Sequence, residues 1–444
     1  MDFTPHTDAD VERMLTALGL QDPDDLFSHL PPEVRVDGPL DLPDGRSEPE
    51  VMRTIDEWGS RNRSDLVCFA GGGVYDHFLP PVVRALTLRP EFVTSYTPYQ
   101  SEVSQGVLQA LFEYQSMVAA IMGLPVANAS LYDGSTSGLE AVNLAVAATR
   151  RSVVWVSRAL HPRTREVIDT FAHARDLVVV EHPVVDGRTA WAADAAGPPA
   201  AVLFGQPNYL GVIEDYDAAV AAAHDAGALA IASVDPMLLG VLRSPGSAGC
   251  DIAFAEGQPL GNPMSFGGPL LGMFATSQKL LRRMPGRLAG RTADDRGRTA
   301  YTLTLRTREQ DIRREKASSN ICTNQSLNAI GAAVHLAWLG PGGLEETGHR
   351  SVQKAHYLAK RLEQIKDVQL ANRSPFGREF AVLTPLDPDA VVAAMAERGY
   401  LAGIPLSGDY PELPGGLLIA VTEQRTREDL DGYAAALEEV ITDA

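Results

Sequence analysis

The run Tyr132-Asp133-Gly134-Ser135-Thr136-Ser137-Gly138 leads straight into an apolar helical stretch, residues 139–149. Backbone amides and hydroxyls at a helix N-terminus make a cradle for a phosphate, with Gly134, Ser135 and Thr136 as its donors. The same run suits a plain helix-capping loop equally well. Asp235 closes the apolar run Ala232-Ser233-Val234, just before Pro236. A carboxylate there can hold a protonated ring nitrogen, and a strand-end turn also favours aspartate. His161, at the end of an earlier apolar run, could stack on a flat ring; a lone histidine also serves as a packed or surface residue.

Taken in order, phosphate loop, stacking histidine and ring-nitrogen aspartate are the layout of a fold-type-I enzyme built around pyridoxal phosphate. Such an enzyme needs a lysine amine for a Schiff base with the cofactor aldehyde. The first lysine here is Lys279, followed by Lys316, Lys354, Lys360 and Lys366. A few tens of residues after Asp235 the chain reads Glu256-Gly257-Gln258-Pro259-Leu260-Gly261, and proline has no free amine. Lys279 follows the apolar residues 270–275 and is expected on the far side of the sheet. A frame without its anchoring residue points to one half of a two-chain enzyme.

These residues need elements to position them. Residues 152–157, 177–181, 201–204 and 228–234 are short apolar runs with β-branched residues, separated in part by helical segments at 163–174 and 216–226. Short apolar strands between helices indicate an α/β domain whose mainly parallel sheet is buried on both faces. Ligands in such sheets sit beyond the carboxyl ends of the strands, where His161, Gln206-Pro207-Asn208 and Asp235 fall. After about residue 330 a long helix (344–365), strands at 379–384 and 417–422, and helices at 387–398 and 426–441 form a smaller α+β domain. Thr7 caps an amphipathic N-terminal helix through Val11, Met14, Leu15 and Leu18. A Pro- and Asp-rich stretch, 21–44, then reads as an arm or a flexible tail. The expected divisions are 1–65, 66–330 and 331–444.

A net charge of −19 over 444 residues argues against nucleic-acid and anionic-membrane partners. Cys68, Cys250 and Cys322 are too few and scattered for a disulfide framework, which suits a cytoplasmic protein. No CxxC or HExxH pair supports a metal site, and no apolar run approaches a membrane span.

Longer runs are more specific. They include Val74-Tyr75-Asp76-His77, Tyr96-Thr97-Pro98-Tyr99-Gln100 with Glu102, Ser104-Gln105-Gly106, Asn128-Ala129-Ser130, Phe266-Gly267-Gly268-Pro269, Thr307-Arg308-Glu309-Gln310, Ser319-Asn320-Ile321-Cys322-Thr323-Asn324-Gln325 and Asp409-Tyr410-Pro411-Glu412-Leu413. Through these the chain resembles, over essentially its whole length, the glycine cleavage system P-protein (glycine decarboxylase) family in its split form, and in particular that form's subunit 1.

The resemblance implies a homologous subunit 2 (beta) whose His-Lys-Thr lysine carries pyridoxal 5'-phosphate. That lysine falls opposite Pro259 and its histidine opposite Gln258, aligned on Pro245-Gly246 and Gly249-Cys250-Asp251. It further implies glycine as substrate, a lipoylated H-protein as acceptor and an alpha2beta2 heterotetramer. Gly134, Ser135, Thr136, His161, Asp235 and Gln258 would then be vestigial or partial cofactor-site positions. Tyr96, Thr97, Tyr99, Gln100 and Glu102 become candidates for a wall of the partner's substrate site, a packing role being equally open. Ser319, Asn320 and Thr323 mark an interface loop. The basic residues Arg306, Arg308, Arg313, Arg314 and Lys316 suit either an acidic carrier protein or a solvated face. Ser101, Val103, Ser135, Ser137 and Ser318 depart mildly from the family pattern. A stand-alone enzyme using Lys279 and a non-catalytic scaffold are the alternatives.

Overall fold

The computed structural model describes residues 5–443, apart from 37, 39, 96–97, 193–195 and 318. The chain divides into two units, Met1–Ser64 and Asp65–Ala444.

In the first unit, helix α1 (Asp8–Leu18) starts at Thr7, whose hydroxyl and amide exchange hydrogen bonds with Asp10. Helix α2 (Glu48–Gly59) starts at Ser47 in the same way, paired with Glu50. Neither helix has a buried residue. Leu18, Met52, Ile55 and Trp58 are all more than half exposed.

The second unit is built on a seven-stranded sheet. Its strands are β1 (Val126–Ala127), β2 (Val153–Ser157), β3 (Val178–His182), β4 (Pro199–Gln206), β5 (Leu229–Val234), β6 (Ile252–Glu256) and β7 (Gly272–Thr276). They lie in the order β1-β7-β6-β5-β4-β2-β3. Five strands, β2 to β6, run parallel, and β7 is antiparallel to both neighbours.

Alternate residues of each strand face opposite layers. Leu203, Ile231, Phe254 and Phe274 pack with Ala141, Leu144 and Ala145 of helix α4 (Gly134–Thr149). Phe204, Ala232, Ala253 and Met273 pack with Leu108, Leu111 and Val118 of helix α3 (Gln105–Met122). Helices α5 (Pro162–Ala174) and α6 (Tyr216–Asp225) complete the crossovers. Because β7 runs backwards, exposed Lys279 emerges at the edge opposite the carboxyl ends of β2 to β6.

Two elements differ in extent from the sequence reading. Helix α4 starts at Gly134, inside the Gly- and Ser-rich run, because the Asp133 carboxylate accepts the Thr136 amide and caps it there. Helix α7 (Ser326–Leu362) starts well before residue 344. It is two helices across a kink: Gly340, with a φ of 60° and a ψ of −178°, leaves the helical conformation just before Pro341, so a helix from Ser326 precedes the one expected at 344–365.

Helix α7 leads to a four-stranded antiparallel sheet of β8 (Gln369–Leu370), β9 (Glu379–Leu383), β10 (Ile404–Pro405) and β11 (Gly416–Ala420). Helices α8 (Pro388–Glu397) and α9 (Arg427–Thr442) cover it around Phe380, Ile419, Val391, Leu430 and Leu437. The loop after β4 presses on β9. Gly211 has a φ of 83°, and a Cβ there would stand 1.9 Å from the Glu379 carbonyl oxygen.

Candidate functional site

A cavity of about 450 Å³ opens at the carboxyl ends of the parallel strands, between the two sheets. Four of the five strand ends deliver a residue to it: His161 after β2, Gly205 on β4, Asp235 after β5 and Glu256 at the end of β6. The start of α4 contributes Gly134, Ser135 and Thr136, the 72–75 segment contributes Tyr75, and β9 with its preceding residue contributes Glu379 and Arg378. Five of the sequence candidates, Gly134, Ser135, Thr136, His161 and Asp235, thus meet in one space.

Their donors and acceptors are already engaged within the chain. The Gly134 amide donates to Glu256 Oε2 at 3.0 Å. Thr136 donates through both its amide and its hydroxyl to the Asp133 carboxylate, and the Ser135 hydroxyl meets that of Thr164. Glu256 Oε1 accepts the amides of Gln258 and Leu271, at 2.8 and 2.9 Å. Burial pushes the Glu256 carboxyl up to about 7, against the pull of those three amides and with a further push from Asp133.

Asp235 is likewise taken. Its Oδ2 lies 2.5 Å from Nε of Arg378, a fully buried side chain. The Arg378 guanidinium stacks 3.5 Å from the centre of the Tyr75 ring and also meets His77 Nε2. His77 passes the chain of contacts to Glu423 through Nδ1 at 2.5 Å. Burial works against the Arg378 charge, but Asp235 holds its pKa above the usual guanidinium range. Glu379 accepts from the Gly72 amide and the Tyr75 hydroxyl, both at 2.6 Å, and burial raises its pKa.

His161 donates from Nε2 to the Gly72 carbonyl at 2.7 Å and accepts the Arg163 amide at Nδ1. Burial lowers its pKa, so the ring is neutral near pH 7, edge-on to Tyr209.

Gln258 and Pro259 are buried but are not part of the cavity wall. The Gln258 amide group instead holds the Tyr75 backbone and the Asn262 carbonyl. None of the five lysines lines the cavity.

The remaining candidates form a second group, away from the cavity wall. Tyr96 and Thr97 lie outside the described residues. Tyr99 is half-buried, its hydroxyl donating to Asn324 Oδ1 at 2.8 Å, while Gln100 and Glu102 are exposed. Arg287 ties the neighbourhood together: its guanidinium lies 4.9 Å from the Tyr99 ring centre and donates to the Cys322 carbonyl. Ser319 Oγ accepts the Ile321 amide, the Asn320 carbonyl accepts from Gln310, and Thr323 is exposed. The loops around Tyr99 and Thr323, far apart in sequence, are therefore neighbours. Of the basic run, Arg306 pairs with Asp311 and Arg308 donates to the Met284 carbonyl, while Arg313, Arg314 and Lys316 are exposed.

Sequence reasoning passed over Arg378, Tyr75, Glu379 and Glu256 as site residues. Arg378, just before β9, reaches Asp235 from 143 residues further along the chain, and no local pattern could announce it. Glu256 stood inside the run inspected for a lysine, so a carboxylate at that strand end was open to notice.

A profile described as the glycine cleavage system P-protein matches residues 1–437. The chain belongs to that family. A P-protein relative from Moorella thermoacetica, a probable glycine dehydrogenase (decarboxylating) subunit 1, is 46% identical over 444 residues, covering 99% of this chain and 100% of the relative. A crystal structure of glycine decarboxylase (P-protein) of the glycine cleavage system, in inhibitor-bound form, superposes with a TM-score of 0.91 at 45% identity, covering 99% of this chain and 100% of that one. The Burkholderia pseudomallei sphingosine-1-phosphate lyase, at 16% identity and a TM-score of 0.66 over 92% of this chain and 93% of its own, shares the fold alone. The P-protein chain has the α/β fold of type I pyridoxal phosphate enzymes, with its mainly parallel central sheet.

Pyridoxal phosphate does not fit the residues of this P-protein's own cavity. No lysine lines the cavity, the Gly134 amide already serves Glu256, and Asp235 already serves Arg378.

Proposed function

We propose that the chain is the lysine-less subunit of a two-chain glycine decarboxylase. The assembled enzyme would release CO2 from glycine and pass the aminomethyl group to the lipoyl arm of H-protein. Pyridoxal phosphate, held covalently by a homologous subunit 2, would supply the electron sink for that chemistry. In this reading an alpha2beta2 heterotetramer works in the cytoplasm. Among the described residues no helix is long and apolar enough to cross a membrane.

One observation carries the reading. In a chain that matches the family over residues 1–437, none of the five lysines lines the cavity, and the carboxylate suited to a ring nitrogen is bound to an internal arginine. Lys279, at the opposite edge of the sheet, gives a stand-alone enzyme no amine at the cavity. What this subunit offers its partner is the paired surface of Tyr99, Gln100, Glu102, Ser319, Asn320 and Thr323, Tyr96 and Thr97 being further candidates by sequence.

The test is borohydride trapping with peptide mass mapping, on the chain with pyridoxal phosphate, alone and mixed with subunit 2. A phosphopyridoxyl mark on the partner only, with CO2 release from glycine only in the mixture, is the expected result. A stoichiometric mark on any lysine of this chain, with activity alone, overturns it.

A further inference from the structure

The missing lysine explains why no covalent bond forms here, but it does not explain the remaining side chains of the cavity. A phosphorylated pyridine can bind a type I pocket through its phosphate and ring nitrogen without any Schiff base. The phosphate end and the ring-nitrogen end of this cavity are each blocked by a group of the chain itself.

We propose that Glu256 and Arg378 close this subunit's cavity to phosphorylated pyridines, independently of Pro259. At the phosphate end, Glu256 Oε2 takes the Gly134 amide, the donor that a phosphate at the start of α4 would need. When ionised, the Glu256 carboxyl also adds negative charge beside that of Asp133, which repels an incoming phosphate dianion. At the ring end, Arg378 neutralises Asp235 and sits over the Tyr75 ring, 3.5 Å from its centre. A protonated ring nitrogen would have to displace a buried guanidinium that Tyr75, His77 and Asp235 all hold. Both devices are tied into the chain, Glu256 by three backbone amides and Arg378 by Asp235, His77 and the Tyr75 ring, so the closed state is built into the fold. The proposal depends on the functional reading above only in taking the cavity as the counterpart of a cofactor pocket.

The probe is pyridoxamine 5'-phosphate, which carries an amine in place of the aldehyde and needs no lysine. Its binding to the full chain would be followed by fluorescence in equilibrium dialysis, for the wild type, Glu256→Ser and Glu256→Ser/Arg378→Met. The wild type is expected to bind weakly or not at all. Glu256→Ser should gain roughly tenfold or more in affinity, because a like charge is removed and the Gly134 amide is freed. The double variant should gain again. Wild-type binding as tight as that of the variants overturns the proposal, and so does a folded Glu256→Ser chain that binds no better than the wild type. If Arg378→Met prevents folding, as judged by circular dichroism, Glu256→Ser alone decides. Failure of the two-chain reading would appear elsewhere, as absent CO2 release by the wild-type mixture.

Discussion

Nε of Arg378 stands 2.5 Å from Oδ2 of Asp235, joining the small antiparallel sheet to the carboxyl edge of the large one. The two residues are 143 positions apart, and this ion pair is one of the polar links between the two halves of the second unit. Through His77 and Glu423 the same network reaches the turn after β11. The floor of the cavity is thus also a fastening between sheets.

Arg378→Met should therefore cost stability out of proportion to its position. It leaves the Asp235 carboxylate without its cation, and breaking one side of a buried pair costs about 3–5 kcal/mol. Asp235→Asn/Arg378→Met removes both charges and should recover a good part of that loss. Urea unfolding of the single and double variants would measure the coupling. Strictly additive losses would show that the two charges do not act as a pair.

Glu256 predicts a pH dependence. Its folded pKa, about 7, lies above the ordinary 4.5, so the folded chain binds this proton more tightly than the unfolded one. No penalty exists below pH 4.5. The cost grows as pH rises to 7 and stays beyond it, reaching about 3 kcal/mol. The groups facing the carboxyl are the amides of Gly134, Gln258 and Leu271, the Asp133 carboxylate and the buried Tyr114 phenol. Stability of wild type minus that of Glu256→Gln, measured by urea unfolding from pH 5 to 8, should fall across this window. A flat difference would mean that Glu256 is ionised throughout.

The fold was largely legible because burial on both faces writes continuous apolar runs. The strands at 153–157 and 229–234 are such runs, and their carboxyl ends located His161 and Asp235. What stayed hidden depends on partners distant in sequence. Nothing near residue 378 reveals that its guanidinium meets Asp235, and nothing in the loop at 99–102 reveals its bond to Asn324. The helix expected from 344 follows the kink at Gly340-Pro341, while the helix before the kink, from Ser326, went unread.

Gly211→Ala tests the approach of the loop after β4 to β9. The new Cβ would stand 1.9 Å from the Glu379 carbonyl oxygen, and a φ of 83° suits only glycine well. A backbone atom cannot step aside as a side-chain tip can. A loss of about 2–4 kcal/mol is expected in denaturant unfolding, against little change for Gly45→Ala, which meets nothing within 4 Å. Equal effects at the two sites would show that the loop relaxes freely.

Tyr99→Phe separates a contributing loop from a passive one. The Tyr99 hydroxyl reaches Asn324 Oδ1 at 2.8 Å, and that oxygen also accepts from Ser326. Removing the hydroxyl therefore leaves no orphaned acceptor, while the aromatic ring keeps its place beside Arg287. The direct cost is about 1 kcal/mol, felt in how firmly the Tyr99 loop is held against the Asn324 loop. If this surface forms part of the partner's site, turnover by the assembled enzyme should fall about fivefold or more, with unchanged affinity between subunits. Turnover and sedimentation of the mixed subunits would be measured together. Normal turnover with normal assembly would assign the loop to packing and leave this chain a scaffold.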